Sequence, residues 1–232
     1  YKRQIPAWSP DSKTLAFWRF TKEEQALYCI PTSRGDPEKL LTMTGFTGHL
    51  LWSGDGKNIL FTVASSADDS GLWIIERAGY NPRRLVGIDP IMGFPLLMDV
   101  SAQGDQALIF YQRAFTWGFG EPNVSYCAIV DLETSEVRPL KRATGDATEF
   151  YGPLDATFSP DGFKVLYVYR DASKKARLAV CDLDGRSENI LLTYDGDEIF
   201  IKHGLGLGWA KNDTIYVATS RGFGLLLSLG TR

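Results

Sequence analysis

The segment Trp8-Ser9-Pro10-Asp11-Ser12 is the first of five similar segments that together decide the fold. Each segment has an aromatic or apolar anchor, a short polar turn, and then a β-rich run. The other four are Trp52-Ser53-Gly54-Asp55-Gly56, Val100-Ser101-Ala102-Gln103-Gly104-Asp105, Phe158-Ser159-Pro160-Asp161-Gly162 and Trp209-Ala210-Lys211-Asn212-Asp213. Successive segments begin 44, 48, 58 and 51 residues apart. A period of about 50 residues is typical of β-propeller repeats.

The polar turn predicts a tight hairpin between two antiparallel strands. In Ser-Pro-Asp-Gly, proline presets φ, aspartate bonds to nearby backbone and glycine accepts positive φ, which is a type I turn pattern. In the first, second and fourth repeats an apolar pair follows seven and nine residues after the anchor: Leu15/Phe17, Ile59/Phe61 and Val165/Tyr167. The third repeat slips by one residue, to Leu108/Phe110, and the fifth shortens by one, to Ile215/Val217. We therefore expect the third turn to be one residue longer than the others and the fifth turn to be one residue shorter.

Four short strands in each repeat make the chain an all-β protein. Second strands are predicted at 14–20, 58–63, 107–112, 164–169 and 214–219, because these runs are rich in β-branched and aromatic residues. Third strands are predicted at 26–31, 72–76, 126–132, 178–183 and 224–229, and short fourth strands at 39–42, 84–86, 138–141 and 190–193. No helical periodicity is present. The sequence thus predicts a β-propeller of four-stranded antiparallel blades with five repeats.

The repeat resembles that of the TolB-like β-propellers, in which Trp-Ser-Pro-Asp-Gly is followed by Lys-x-Leu/Ile-x-Phe, Leu-Tyr and Leu-Leu-Thr. The first repeat carries Lys13, Leu15, Phe17, Leu27 and Tyr28, then Leu-Leu-Thr at 40–42, with serine in place of the glycine. The fourth repeat carries the turn at 158–162 and Leu-Leu-Thr at 191–193. The second has glycine in place of proline, and the third and fifth are degenerate.

This resemblance implies one propeller domain over residues 1–232, with blades at roughly 1–44, 45–92, 93–144, 145–200 and an incomplete 201–232. Propellers of the family usually have six blades, so we expect a truncated ring whose sixth blade lies outside this sequence; the alternative is a five-unit ring closed by another route. The resemblance also favours a bacterial, periplasmic or otherwise extracytoplasmic setting. It predicts fold better than function, because propellers host unrelated activities.

Composition narrows the classes of partner. Lys and Arg number 25 against 28 Asp and Glu, for a net charge of −3, so the chain lacks the basic surplus that nucleic-acid binding requires. No apolar run approaches the length of about 18–20 residues that a membrane-spanning helix needs. The three cysteines, Cys29, Cys127 and Cys181, are too few and too scattered for a disulfide framework or a zinc site, and are predicted to be buried thiols.

The predicted binding site is the propeller face that collects the loops between blades and between second and third strands. Arginine and aromatic side chains cluster in these segments, and that composition is typical of protein interface hot spots. The candidate binding residues are Trp18, Arg19, Phe46, Phe94, Arg113, Phe115, Trp117, Phe119, Tyr151 and Arg170. The longest loop, residues 112–125, carries four of them; alternatively, its aromatic residues fold back to cover the end of the blade.

The sequence gives less support to a metal site or to the active site of a hydrolase. His49 and His203 are both expected where an innermost strand starts, near one mouth of the channel, but two ligands are too few for a metal site. No Gly-x-Ser-x-Gly nucleophile motif occurs. The aspartates of the repeated turns, Asp11, Asp55 and Asp161, are assigned to hairpin structure because they recur at the same position. We expect no metal and no cofactor.

The sequence therefore predicts a non-enzymatic module, part of a larger protein or envelope complex, that binds a protein or peptide through its loop face and channel mouth. Two enzymatic alternatives remain open. Propellers of this type gate substrate access in prolyl-oligopeptidase relatives, and some propeller lyases hold a metal in the central channel. The sequence names neither the partner nor the oligomeric state.

Overall fold

The structure is a computed structural model that describes residues 6–22, 24–65, 68–89, 93–112, 125–142, 155–170, 175–194, 207–210, 214–218 and 224–228. These residues form nineteen strands: β1 Ala7–Trp8, β2 Thr14–Phe20, β3 Gln25–Pro31, β4 Glu38–Thr42, β5 Phe46–Trp52, β6 Asn58–Ala64, β7 Gly71–Glu76, β8 Arg83–Gly87, β9 Phe94–Val100, β10 Gln106–Gln112, β11 Ser125–Asp131, β12 Val137–Arg142, β13 Ala156–Phe158, β14 Lys164–Arg170, β15 Ala176–Asp182, β16 Asn189–Tyr194, β17 Leu207–Trp209, β18 Thr214–Ala218 and β19 Gly224–Ser228. The described part of the chain holds no helix long and apolar enough to cross a membrane.

The strands form five antiparallel sheets in chain order. Strands β1–β4, β5–β8, β9–β12 and β13–β16 make four-stranded blades 1 to 4, and the described strands β17–β19 make a three-stranded unit 5. Within each sheet every strand pairs with the next along the chain. The innermost strands β1, β5, β9, β13 and β17 contact one another in that order. The predicted all-β propeller architecture, with one sheet per repeat, is confirmed.

In each four-stranded blade, the same type of hydrogen-bonded corner joins the first strand to the second. The Ser159 hydroxyl donates to the Asp161 carboxylate and accepts from the Lys164 N–H at 2.9 Å, while the Gly162 N–H donates to the Ser159 carbonyl. Gly162 has φ +77°, a backbone region that glycine adopts without strain. The corresponding serines, Ser9, Ser53 and Ser101, make the same bond to the N–H five residues ahead, and Ser12 holds the positive-φ position in the first corner.

The register confirms one predicted irregularity and corrects the other. Trp209 pairs with Ile215, six residues on, whereas Trp8 pairs with Leu15, seven residues on, so the fifth turn is one residue shorter. The third turn is not longer: Val100 pairs with Ala107, again seven residues on. The predicted slip was wrong because β10 is apolar on both faces, so its sequence pattern does not show the register. The extra residue lies instead in β9, where a bulge occurs between Asp99 and Leu97.

Two edges of the blades follow from this topology, and they carry different structures. The corner edge holds the Ser–Asp corners and the turns from third to fourth strands. The loop edge holds the connections from second to third strands and from each blade to the next. Strand β2 runs from Thr14 at the corner edge to Phe20 at the loop edge, and β5 returns from Phe46 to Trp52. The loops that the sequence analysis grouped on one face therefore do leave the sheets at a common edge.

Successive side chains along each second strand pack against different neighbouring blades. In β6, Ile59, Phe61 and Val63 belong to the apolar cluster shared with blade 1, while Leu60 belongs to the cluster shared with blade 3. The same alternation joins blade 3 to blade 4 and blade 4 to unit 5. We call the side of a blade that meets its predecessor the leading face and the opposite side the trailing face. Both faces are apolar, which explains why the strands are hydrophobic at consecutive positions.

The fourth strand of each blade carries a bulge at a leucine. The residues skipped by the pairing are Leu40, Leu85, Leu140 and Leu191, one in each of the four complete blades. A bulge turns two consecutive side chains toward the same face, and Leu40 and Leu41 both pack on the cluster between blades 1 and 2. The Leu-Leu of the repeat thus supplies two apolar contacts to the trailing face.

Replacing Phe61 with alanine tests the packing between blades 1 and 2. Phe61 is fully buried and meets Trp18 edge to face, with ring centroids 5.3 Å apart. We expect Phe61→Ala to lower the free energy of unfolding by about 3–5 kcal/mol, as measured by denaturant titration. Phe163, which is 71% exposed, is the matched control, and its alanine variant should change stability by less than about 0.5 kcal/mol. Equal effects would contradict the interface.

Gly54 provides a second test, because it replaces the proline of the repeat. A Cβ at Gly54 would overlap the backbone carbonyl of Ala102 in the next corner, so only glycine fits between the two corners. We expect Gly54→Ala to cost about 1–3 kcal/mol in unfolding free energy. Gly87→Ala is the control, since a Cβ there meets the Arg84 side chain at an ordinary 3.6 Å. A Gly54 variant as stable as the Gly87 variant would contradict the close approach.

Candidate functional site

The loop edge brings together four of the predicted binding residues at strand ends. Arg19 is the second-last residue of β2 and is exposed, with its guanidinium carbon 5.8 Å from the centroid of the Tyr28 ring. Phe46 is the first residue of β5 and pairs with Ala64, the last residue of β6. Arg170 is the last residue of β14. Phe94 opens β9 at the same edge, but its side chain is buried, at 8% exposed, and so offers little surface to a partner.

Trp18 belongs to the core between blades 1 and 2. Its side chain is 4% exposed and packs with Phe61, Leu27 and Leu50 in one cluster. Adjacent strand residues point to opposite faces, so Trp18 lies on the trailing face of blade 1 while Arg19 lies on the leading face. The structure therefore gives Trp18 a packing role. Arg19 presents the guanidinium at the edge.

The remaining candidates lie outside the described residues. They are Arg113, Phe115, Trp117, Phe119 and Tyr151, together with His203. The connections that hold them leave the sheets at the loop edge, since β10 ends at Gln112, β12 at Arg142 and β16 at Tyr194. Their assignment to the binding site stays a prediction.

His49 lies in the middle of β5 rather than at its start, where it was expected. Between Thr47 and Leu50, β5 has two residues where the paired segment of β6 has one. Gly48 and His49 therefore form a bulge. The His49 side chain is half-buried there. Within the described residues, no group of three His, Cys, Asp or Glu side chains is arranged to hold a metal ion.

The three cysteines are buried thiols, as predicted. Burial raises the pKa of the Cys29 thiol to about 11, and burial also raises the pKa of Cys127. A thiol with a raised pKa is a poor nucleophile at neutral pH. Cys127 and Cys181 pack in the cluster between blades 3 and 4, so these residues serve as small apolar side chains.

A cavity of about 300 Å³ that the sequence did not indicate lies beside inner strands β9, β13 and β17. The Asp99 carboxylate lines it and accepts hydrogen bonds from the Thr157 hydroxyl at 2.6 Å and the Phe158 N–H at 2.9 Å. Burial raises the pKa of Asp99, and these hydrogen bonds oppose the rise. Asp99 thus joins blade 3 to blade 4. It went unnoticed because its partners are 58 and 59 residues away in the sequence.

A groove of about 600 Å³ lies at the corner edge between blades 2 and 3. Its polar lining is mostly acidic, with Asp55, Asp105 and Asp131 among the carboxylates. Each of these accepts local hydrogen bonds: Asp55 from Ser53, Asp105 from Ser101 and Asp131 from Thr134. Arg83 crosses from blade 2 to donate to the Leu132 carbonyl of blade 3. These polar groups therefore form hydrogen bonds within the turns and across the contact between blades 2 and 3.

Comparison with known proteins supports the fold. No protein-family model matches the chain. A segment of 88 residues is 36% identical to an uncharacterized peptidase, YuxL, of Bacillus subtilis (strain 168), and the match covers 36% of this chain and 13% of that protein. The chain therefore spans only a small part of this relative's length.

Solved structures match nearly the whole chain at low sequence identity. TolB from Acinetobacter baumannii matches with a TM-score of 0.58 and 20% identity over 95% of this chain and 52% of its own. An oligogalacturonate lyase in complex with manganese matches with a TM-score of 0.70 and 14% identity over 97% and 64%. A prolyl endopeptidase matches with a TM-score of 0.70 and 17% identity over 97% and 34%. The chain has the TolB-like β-propeller fold.

The corner aspartates give a pH-dependent prediction. The Ser159 hydroxyl and the Phe163 N–H hydrogen-bond to Asp161 and hold its pKa below the ordinary 3.8. The unfolded chain therefore binds a proton more readily than the folded one. The stability that Asp161 contributes is fully present above pH 3.8 and is lost as the pH falls through the lower native value.

We expect Asp161→Asn to weaken the fall in unfolding free energy between pH 5 and pH 2.5, measured by urea titration at each pH. The amide keeps an acceptor for both donors but does not titrate. Asp36→Asn is the control, since Asp36 is an exposed carboxylate in the β3–β4 turn. If the Asp161 variant retains the full pH dependence of the unsubstituted protein, the corner carboxylate is not responsible for it.

Proposed function

We propose that this chain is a non-enzymatic propeller module that binds a protein or peptide at its loop edge. The observation that carries the proposal is the blade register, which brings the strand-end positions of Arg19, Phe46 and Arg170 to one edge although they are spread over about 150 residues of sequence. Loops held at one end of a rigid sheet scaffold are the usual place for binding residues.

The chemistry of this edge suits a polypeptide. Arginine and aromatic side chains contribute most of the free energy of typical protein interfaces. The Arg19 guanidinium over Tyr28 is already partly ordered by a cation–π contact, so less rotamer entropy is lost when it donates to a carboxylate or carbonyl of a partner. The residues of the 112–125 loop, Phe115, Trp117 and Phe119, would add apolar anchors at the same edge.

The repeated carboxylates support a structural rather than a catalytic role for the corner edge. Asp11, Asp55 and Asp161 each accept a hydrogen bond from the corner serine and from a backbone N–H two residues ahead. The pKa of each is lowered. They are therefore ionised at neutral pH and already satisfied within the turn, which makes them poor general acids.

A second candidate, the substrate-gating propeller of a peptidase, is favoured by the 36% identity to the Bacillus subtilis peptidase. In that case the same edge would contact peptide substrates and a catalytic domain elsewhere in the protein. A fluorophosphonate probe applied to the protein expressed from its complete reading frame distinguishes the two. Covalent labelling of an activated serine supports the gating propeller, and its absence together with partner capture supports the binding module.

Photo-cross-linking tests the loop edge directly. We would place a photoreactive phenylalanine derivative at the exposed Lys22, in the β2–β3 connection, and at Phe163 on the corner edge. In extracts of the native organism, polypeptide adducts are expected from position 22. The Trp117→Ala/Phe119→Ala variant should weaken binding of the recovered partner about tenfold or more, because each lost anchor removes buried apolar contact.

The control for this experiment is Tyr80→Ala, which removes an exposed aromatic side chain (67% exposed) from the corner edge. It should leave the dissociation constant unchanged. Circular dichroism and thermal unfolding confirm that each variant is folded. Adducts formed at Phe163 and not at Lys22, or unchanged affinity in the folded Trp117/Phe119 variant, would place the binding surface elsewhere.

A further inference from the structure

The residue that precedes the anchor of each repeat changes in chemistry along the chain. Blades 1 and 2 carry Ala7 and Leu51 at this position, and both pack in the apolar clusters between sheets. Blades 3 and 4 and unit 5 carry Asp99, Thr157 and Gly208, and all three line the cavity of about 300 Å³ beside the inner strands. Because small or apolar side chains satisfy the packing at this position, the fold does not require a carboxylate there.

The Asp99 carboxylate is held in a fixed orientation and keeps the capacity for one more donor. Its Oδ1 accepts from the Val100 N–H at 2.8 Å, and its Oδ2 accepts from the Thr157 hydroxyl at 2.6 Å and the Phe158 N–H at 2.9 Å. An ionised carboxylate offers about four acceptor positions. The described residues fill three of them, which leaves one on Oδ1.

No cationic side chain among the described residues that line the cavity offsets the charge of Asp99. Lysine, arginine and histidine are all absent from that lining. Removing a carboxylate from water without a paired cation costs free energy. Burial raises the pKa of Asp99 although its hydrogen bonds oppose the rise, so these bonds offset only part of the cost. A positively charged ligand in the cavity would offset more of it.

Aromatic side chains form the wall of the cavity on the side of unit 5. Trp209 and Tyr216 line it, and the Tyr216 ring lies across Gly208, its partner in the adjacent strand. A Cβ at Gly208 would overlap a ring carbon and the hydroxyl of Tyr216, so glycine allows the ring to reach the inner strand. Because tryptophan and tyrosine rings attract cations to their faces, this wall favours the same ligand charge as Asp99 does.

We propose that this cavity binds an organic ammonium group, with the Asp99 carboxylate as its anion and the rings of Trp209 and Tyr216 as its wall. One ammonium N–H donates to Oδ1 of Asp99, and the apolar stem of the ligand lies against the rings. Calcium fits less well, because it takes about six to eight oxygen ligands. A volume of about 300 Å³ is at the lower end for ligand pockets and suits a lysine side chain or a small free amine.

The cavity is separate from the loop edge. Val100, at the corner end of β9, lines it, as do Ala102 and Pro160 of two successive corners. The loops that carry the proposed polypeptide site leave the sheets at the opposite edge. The ammonium site is therefore independent of that function, and each can fail without the other.

Ligand-observed NMR titration tests the site in the protein expressed from its complete reading frame. The probe is n-butylammonium, and butan-1-ol, which is uncharged and of similar length, is the control ligand. We expect Asp99→Asn to weaken binding of n-butylammonium about tenfold or more, because the amide carries no charge. Tyr216→Leu should weaken it about threefold or more, because it removes the ring but keeps apolar volume over Gly208.

Asp55→Asn is the matched control, since it removes the same charge from the acidic groove at the corner edge and should leave the affinity unchanged. Thermal unfolding shows whether each variant is folded. Tyr216 is 43% exposed, so its leucine variant should fold and keeps the test decisive if Asp99→Asn does not.

A second titration with Nα-acetyl-lysine N-methylamide distinguishes the two sources of the ammonium group. Binding at least as tight as that of n-butylammonium assigns the cavity to a lysine side chain of a polypeptide, whereas binding of n-butylammonium alone assigns it to a free amine. The proposal is wrong if neither amine binds, if butan-1-ol binds equally well, or if folded Tyr216→Leu and Asp99→Asn variants keep full affinity. Equal losses in the Asp55 and Asp99 variants would also overturn it, because they indicate general attraction to an acidic surface.

Discussion

Sheet-on-sheet packing through alternating side chains is the interaction on which the rest of this structure depends. Each complete blade after the first contributes one set of apolar residues to the blade before it and the next set to the blade after it, as Phe61 and Leu60 do in β6. A single blade cannot bury both of its faces, so every sheet is stabilised by its neighbours. Among the described residues, apolar side chains therefore fill the space between consecutive sheets, while the cavity at Asp99 and the acidic groove lie beside the inner strands and at the corner edge.

The two edges divide the remaining tasks between them. At the corner edge, polar side chains satisfy backbone groups within the turns and join consecutive blades, as Ser159 and Arg83 do. The carboxylates of Asp11, Asp55 and Asp161 are thereby kept ionised, because the hydrogen bonds that they accept within the turn lower the pKa of each. The loop edge carries no repeated polar network of this kind among the described residues, and its connections vary in length. It can therefore change in sequence without disturbing the blade interfaces, which is consistent with the same fold occurring in TolB, a lyase and a peptidase.

The sequence predicted the elements whose signals are local, and missed those that depend on distant partners. The corner was predictable because its proline, aspartate and glycine act within five residues. The third-repeat register was predicted incorrectly because β10, apolar on both faces, matches either register equally well. Trp18 and Arg19 were grouped together by composition, yet strand alternation separates a core residue from an edge residue. The leucine bulges and the tie from Asp99 to Thr157 are set by pairing between strands, which no spacing within the chain reports.

The contrast between Trp8 and Trp52 shows that burial in a repeat protein depends on the adjacent sheet as well as on the residue. The two residues have the same position, the same strand partner type and the same side chain, so intrinsic propensity cannot account for a difference of 60% against 7% exposure. In the described part of the chain, Trp52 packs on the trailing face of blade 1. In a repeat protein each interface is a template for the others, so the buried equivalents of a residue define what it would contact. For Trp52 that contact consists of the small side chains of Ala7 and Ala16 and the Ala7 backbone carbonyl.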